Sequence, residues 1–507
     1  MAAPGAASRK PPPRSSTGFF GADEAYGFGL MFSIVLVVTA LRVLVLSGND
    51  YPLYGDEAQY WAWSRHLDWG YYSKPPLIAW LIRLGTLWLG DSEFGVRALS
   101  PFLHGGTALL LYLIGRRLYD ARIGFWSALV YASLPAVSLS SLLMSTDVPL
   151  LFFWALGLYC YLRANEAAGA RRWWVGVGLA IGLGTLSKYS MALFVPSMLL
   201  HLWVARRDLL RTAPPWLAIA LGFVLILPNI VWNAANGFVS YLHTADNANL
   251  HGSLLHPGKL LEFLGAQLGV FGPALFLILL GLLLFRFRGL LRDQKRWLLT
   301  AFILPQLALA LAIAFMSRAN ANWAAPIYVS GTVLVTGWAF AEGAAARWRR
   351  GLLIGSVVFH ALIGGGIYAF HDIAHAMGIE LTAKTDPFRR LMGGRKLGRA
   401  VQAILEQQPA PVLMSDDRML HAELLYYLPG HPPAVEWSED GKVHDEFQLE
   451  ADARQFRDVP ILLVSRDEHP AALAHYAEAE PVSVITIPLY PDLTLRYHLF
   501  RLRGLKQ

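Results

Sequence analysis

The 507-residue chain lacks the raw material for several functions. Its single cysteine, Cys160, sits in an apolar stretch, which excludes an intramolecular disulfide and a thiolate metal cluster. An exported domain without disulfides still fits a bacterial periplasm. Charged residues are scarce at 16%, against about a quarter in ordinary soluble domains. Basic residues are also nearly missing from every second loop between the apolar runs. What is abundant is hydrocarbon: 55% of residues are hydrophobic and the mean hydropathy is +0.40, as in an integral membrane protein. The net charge of +7 resides mainly in loop arginines, so no nucleic-acid partner is implied.

Roughly 20 apolar residues cross a bilayer core. That length predicts spans at 28–47, 97–115, 123–142, 147–163, 173–187, 190–205, 214–233, 260–285, 297–316, 323–341 and 351–370, with a total of 11 to 13 left open. Each span is predicted helical, because backbone amides in hydrocarbon need partners within their own segment. The interrupted run at 76–90, with Arg83 inside it, reads as a helix lying in the interface. Basic clusters mark one side: Arg9, Lys10 and Arg14; Arg116, Arg117 and Arg122; Arg163, Arg171 and Arg172; Arg206, Arg207 and Arg211; Arg286 to Arg296; Arg347, Arg349 and Arg350. Short cytoplasmic loops retain such residues, so the N-terminus is expected inside and the C-terminal tail outside. Residues 1–27, rich in Pro, Ser and Ala, read as a disordered cytoplasmic segment, and 28–371 as a transmembrane domain whose first outer loop is 48–96.

From 372 the composition changes, and 20 of the 36 acidic residues lie in this tail. Short β-branched runs such as PILLVS and VSVITIPLY alternate with helical ones, predicting a small soluble α/β domain over 372–507. The tail contains no repeat, no Gly-rich phosphate loop and no metal-finger spacing.

Ionisable residues at one edge of a membrane are candidates for function. The first outer loop carries adjacent Asp56 and Glu57 among Tyr54, Tyr60, Trp61, Trp63, Trp69, Tyr71 and Tyr72, and ends in Lys74. Later outer loops add Asp147; Lys188 and Tyr189; Asn233, Asn236, His243, Asp246, His251 and His256; and Arg318, Asn320 and Asn322. Acids and cations at a lipid–water boundary suit glycosyl transfer from a lipid phosphate. Lys74, Lys188 or Arg318 would stabilise the charge on the leaving phosphate, and Asp56 or Glu57 would act as base on the attacking hydroxyl. Plainer roles stand beside these. The aromatics also suit an interfacial belt, Asp147 a helix cap, Lys188 a snorkelling side chain and the histidines a solvated loop.

The loop YGDEAQYWAWSRHLDWGYYSKPPLIAW resembles the first periplasmic loop of bacterial protein-mannosyltransferase-like and aminoarabinose-transferase-like glycosyltransferases of the multi-span GT-C fold. PNIVWNAANGF at 228–238 and SRANANWAAPIY at 317–328 resemble later segments of the same group, and the likeness spans about 28–340. The resemblance implies a polyprenyl-phosphate sugar donor and inverting transfer to a cell-envelope lipid or glycan at the periplasmic face of the inner membrane. It assigns Asp56 the catalytic or acceptor-orienting role, with Glu57 its neighbour and Asp147 the acid of the second outer loop. Lys74 would contact the donor phosphate, and Tyr54, Tyr71, Tyr72, Tyr189, Asn233, His243 and Asn322 are expected around the substrates. In aminoarabinose transferases an acid precedes that Lys-Pro and helps hold a metal; here Ser73 stands there, leaving a divalent cation open. A protein O-mannosyltransferase is one alternative. A lipid or sugar transporter is another, although that class calls for charges deep within several spans.

Overall fold

The computed structural model describes residues 26–48, 50–166, 171–247, 249 and 254–506. Expectations for the N-terminal segment, apart from Tyr26 and Gly27, and for His251 fall outside the described residues. Long apolar helices fill the first three quarters of the chain. Phe28–Gly48, Glu93–Leu118, Ala213–Ala235, Gln294–Met316 and Ala346–Tyr368 are each long and apolar enough to cross a bilayer. Asp147–Ala164, Arg171–Ser187, Phe194–Ala205 and Ile327–Phe340 are shorter and complete the bundle.

Several predicted spans are interrupted, and two of the breaks show the part proline plays. The stretch 123–142 forms Ala121–Ser133 and Pro135–Ser140, because Pro135 supplies no N–H and forces Leu134 out of the helical region (φ −52°, ψ 135°). The stretch 260–285 forms Pro257–Val270 and Pro273–Phe285, with Gly272 between them at φ +87°. A Cβ at Gly272 would fall 1.9 Å from the His360 ring, so both conformation and space require glycine.

The first loop folds into the helices Gly55–Arg65 and Leu77–Leu89. The second buries Ile78, Ala79 and Ile82 completely while Leu84, Leu87 and Trp88 stay exposed. This is the two-sided burial of a helix lying in an interface.

Beyond the helix Phe370–Ala376, the chain builds one five-stranded sheet. Its strands are β1 (Val412–Ser415), β2 (Ala434–Glu436), β3 (Ile461–Ser465), β4 (Tyr476–Tyr490) and β5 (Leu493–Leu505), in the order β2-β1-β3-β5-β4. β1 runs parallel to β2 and β3, while β5 is antiparallel to both β3 and β4. β1 and β3 are buried along their whole length, as expected of central strands covered on both faces.

The helix Arg418–Tyr427 joins this domain to the first loop. The Tyr427 hydroxyl accepts the Leu53 N–H at 2.7 Å, and the Tyr426 ring meets Trp61 edge-on at 4.9 Å. Arg395 donates to Glu93 at 2.7 Å, and Gly55 packs so closely that a Cβ there would lie 2.3 Å from the Met419 sulfur. The sheet domain is therefore seated directly over the acidic loop.

Candidate active site

Asp56 and Glu57 are neighbours in sequence but face different surroundings. Glu57 is fully buried, and Arg97 reaches it twice, Nε to Oε1 at 2.9 Å and Nη2 to Oε2 at 2.5 Å. The Met144 N–H also donates to Oε1 at 2.9 Å, and Arg97 donates to the Tyr51 and Pro52 carbonyls. With both its oxygens occupied, Glu57 holds the loop rather than meeting substrate. Asp56, one residue earlier in the same first turn, points the other way and leaves about a third of its side chain exposed. Its ion-pair partner is Arg418 of the C-terminal domain at 3.3 Å. Arg418 also donates to Gln59.

The other acid is Asp147, in the first turn of its helix, where a carboxylate complements the helix dipole. It is paired as well as placed: Oδ1 accepts Lys188 Nζ at 2.7 Å and Oδ2 accepts Asn322 Nδ2 at 2.6 Å. The Tyr54 phenol lies within the fields of Asp56, Glu57 and Asp147, and burial first, then the neighbouring Tyr60 and these charges, raise its pKa well above the usual value. Lys74 completes the group. Burial lowers its pKa, the Lys188 charge lowers it further, and Asp56 and Asp147 oppose both. No carboxylate lies within ion-pair distance of Lys74 among the described residues. A half-buried ammonium without a counter-ion, beside a second ammonium, is costly unless an anion arrives. His243 borders the same space. Burial, then Lys74 and Arg418, push it down to about 4, so the imidazole is neutral at neutral pH.

Several predicted residues support the site instead of facing it. Tyr71 is 1% exposed, stacks on Trp63 at 4.6 Å, and donates to the Trp63 carbonyl at 3.0 Å. Asn233 accepts the Ser240 N–H at 3.2 Å and donates to the Asn229 carbonyl, closing the turn after its helix. Tyr189 donates to Asn229 at 3.3 Å, and Asn229 reaches the Trp69 carbonyl at 2.7 Å, tying this turn to the first loop. The Tyr72 N–H donates to the Glu446 carboxylate, and its ring packs edge-on against His243 at 5.5 Å. Arg318 is exposed, its charge acts on Glu262, and it makes no ion pair with Asp56, Glu57 or Asp147.

The sequence reading missed Arg97 and Arg418. Arg97 stood at the start of a predicted span, where an arginine near two acids was the available signal. Nothing local marked Arg418. As for a cation, no group of three or more His, Cys, Asp or Glu is placed to hold a metal among the described residues. The position before Lys74 is Ser73, which is buried, so the donor set implied by aminoarabinose transferases does not fit here.

Comparison with known proteins matches this architecture. The sequence model of the dolichyl-phosphate-mannose-protein mannosyltransferase family fits residues 73–232. The chain is 32% identical over 398 residues to the lipid A galacturonosyltransferase RgtD of Rhizobium johnstonii, covering 78% of this chain and 82% of that one. It is 31% identical over 218 residues, 39% of each chain, to an undecaprenyl phosphate-aminoarabinose arabinosyl transferase of Pseudomonas aeruginosa. Among solved structures, apo ArnT from Cupriavidus metallidurans superposes with a TM-score of 0.63 at 16% identity, covering 94% of this chain and 98% of that one. The Archaeoglobus fulgidus oligosaccharyltransferase in its apo form gives 0.54 at 13% identity, covering 87% and 70%. These superpositions show a shared GT-C fold.

Proposed function

This chain belongs to the glycosyltransferase family that includes lipid A galacturonosyltransferase RgtD, and from that premise we propose that it moves a sugar from a polyprenyl-phosphate donor to lipid A or a related envelope acceptor. One observation carries the reading. Lys74, without a carboxylate partner among the described residues, and Lys188, held by Asp147, stand with the accessible carboxylate of Asp56 at one end of an apolar bundle.

In this reading Asp56 takes the proton of the acceptor hydroxyl. The hydroxyl oxygen then bonds to the anomeric carbon from the face opposite the phosphate, and the carbon–oxygen bond to phosphate breaks. Configuration inverts, and the polyprenyl phosphate leaves with the electron pair. Lys74 and Lys188 stabilise that charge where water is sparse and electrostatic terms are large. Asp147 fixes the Lys188 ammonium, and Arg418 fixes Asp56. We place the site at the periplasmic face of the inner membrane, the N-terminus in the cytoplasm, and a periplasmic domain from about 372. The relatives are named transferases, which gives the transporter alternative no support.

The test is transfer by membranes carrying the wild type or Asp56→Asn, supplied with undecaprenyl-phosphate sugar and, in separate arms, lipid A, polysaccharide and protein. The expected result is transfer to lipid A that Asp56→Asn abolishes while the protein still inserts. Activity retained in the variant removes Asp56 as base, and transfer to the protein arm alone overturns the acceptor.

A further inference from the structure

A second feature lies on the far side of the loop that carries Asp56. A cleft of about 410 Å³ opens where the last long helix hands over to the sheet domain. Its walls come from three stretches: Asp50 and Pro52 just after the first helix, His371 just after the last, and Arg395, Lys396 and Arg399 on the helix Gly394–Gln407.

The cleft has unspent positive charge. Arg395 is held by Glu93 at 2.7 Å and lies 3.6 Å from Asp50. Lys396 and Arg399, one helical turn apart and exposed, make no ion pair or hydrogen bond among the described residues. Asp386, the other acid of the wall, is 3% exposed and already saturated. It accepts from Tyr490 at 2.6 Å and from the Phe388 N–H at 2.7 Å, and it pairs with His371 at 2.9 Å. It therefore orients His371 and does not neutralise the two free cations.

Position adds the rest. Asp50 and His371 lie two and three residues beyond the bilayer-length helices Phe28–Gly48 and Ala346–Tyr368, which is headgroup depth. Beside the cleft, Ile373, Met377 and Ile379 are 45%, 68% and 50% exposed. An apolar strip next to paired cations at that depth fits an amphiphile with a phosphate head and acyl chains.

We propose that this cleft binds the phosphate headgroup of an anionic membrane lipid, with Lys396 and Arg399 as its ligands and the Ile373–Ile379 strip along the chains. Such a lipid bridges the sheet domain to the bilayer. Through Arg395–Glu93 and the Pro52 carbonyl held by Arg97, it also bears on the segment leading into Asp56. The assignment does not depend on the transfer reaction.

The experiment uses the full chain in nanodiscs of phosphatidylcholine with increasing phosphatidylglycerol, released and read by native mass spectrometry for retained lipid. Wild type should keep phosphatidylglycerol selectively. Lys396→Gln with Arg399→Gln should weaken that retention roughly thirtyfold, given the attraction of each basic residue at an anionic surface. Lys442→Gln with Arg457→Gln, an equal charge change elsewhere on the same domain, should leave it unchanged. Thermal unfolding checks that both variants are folded. Equal loss in both variants, or none in the first, overturns the proposal. Displacement of the lipid by millimolar inorganic phosphate assigns the cleft to free phosphate and overturns the lipid.

Discussion

Arg418 Nη1 stands 3.3 Å from Asp56 Oδ1, across 362 residues of sequence. The sheet domain thus supplies the cation that faces the candidate base, and the ion pair of the first loop is completed from the far end of the chain. Arg418→Ala should lower transfer by about 1–3 kcal/mol of transition-state free energy, roughly five- to 150-fold. Arg418→Lys should recover part of the loss. Steady-state rates on membranes with matched protein content check this, and an unchanged rate would detach Arg418 from the chemistry.

Glu57 should behave unlike its neighbour. Glu57→Gln leaves the Arg97 guanidinium buried beside a neutral amide, and breaking a buried pair costs about 3–5 kcal/mol. The expected outcome is a fall in folded protein and melting temperature, where Asp56→Asn leaves both near wild type. A Glu57→Gln protein that is stable but inactive would reverse the two roles.

Lys74 has no carboxylate partner among the described residues, so removing it should relieve repulsion with Lys188 and spare the fold. Lys74→Met should keep or raise the melting temperature while weakening donor binding by about tenfold or more, and Lys74→Arg should restore part of the binding. Titration with undecaprenyl phosphate measures it. Undiminished affinity in Lys74→Met would place the phosphate elsewhere.

Docking of the sheet domain should depend on pH through Glu446. Burial raises this carboxyl to about 8, while the Tyr72 N–H it accepts works in the opposite direction. A folded-state value above the unfolded one near 4.5 means that the native protein holds the extra proton. The resulting stability is complete below about 4.5 and is lost as pH rises through about 8. Melting temperatures at pH 6 and 9 should diverge in the wild type and converge in Glu446→Gln, which mimics the neutral form. Identical slopes in both proteins would exclude Glu446.

The orientation proposed for the chain is tested with the lone thiol removed. In a Cys160→Ser background, Asp440→Cys should react with an impermeant maleimide in intact spheroplasts, and Glu342→Cys should react only after permeabilisation. The reverse pattern would invert the assignment of sides.

Much of the fold was legible because transfer of apolar side chains into hydrocarbon is local and cumulative along the chain. The runs at 28–47, 214–233 and 351–370 correspond to Phe28–Gly48, Ala213–Ala235 and Ala346–Tyr368 with shifts of a few residues. The same arithmetic ignores backbone geometry, so it joined helices that Pro135 and Gly272–Pro273 keep apart. The outer-loop chemistry was legible as residue types, but not as partnerships.

The sequence by itself determined that this chain is a helical membrane protein whose basic residues cluster in alternate loops, because hydropathy and charge act residue by residue. Only the tertiary structure decided that Glu57 is bound to Arg97 and Asp56 left accessible, that Asp147 holds Lys188, and that Arg418 arrives from the far end of the chain. Ion pairs are chosen by distance in space, and partners separated by 40, 41 and 362 positions leave no local mark on composition or periodicity.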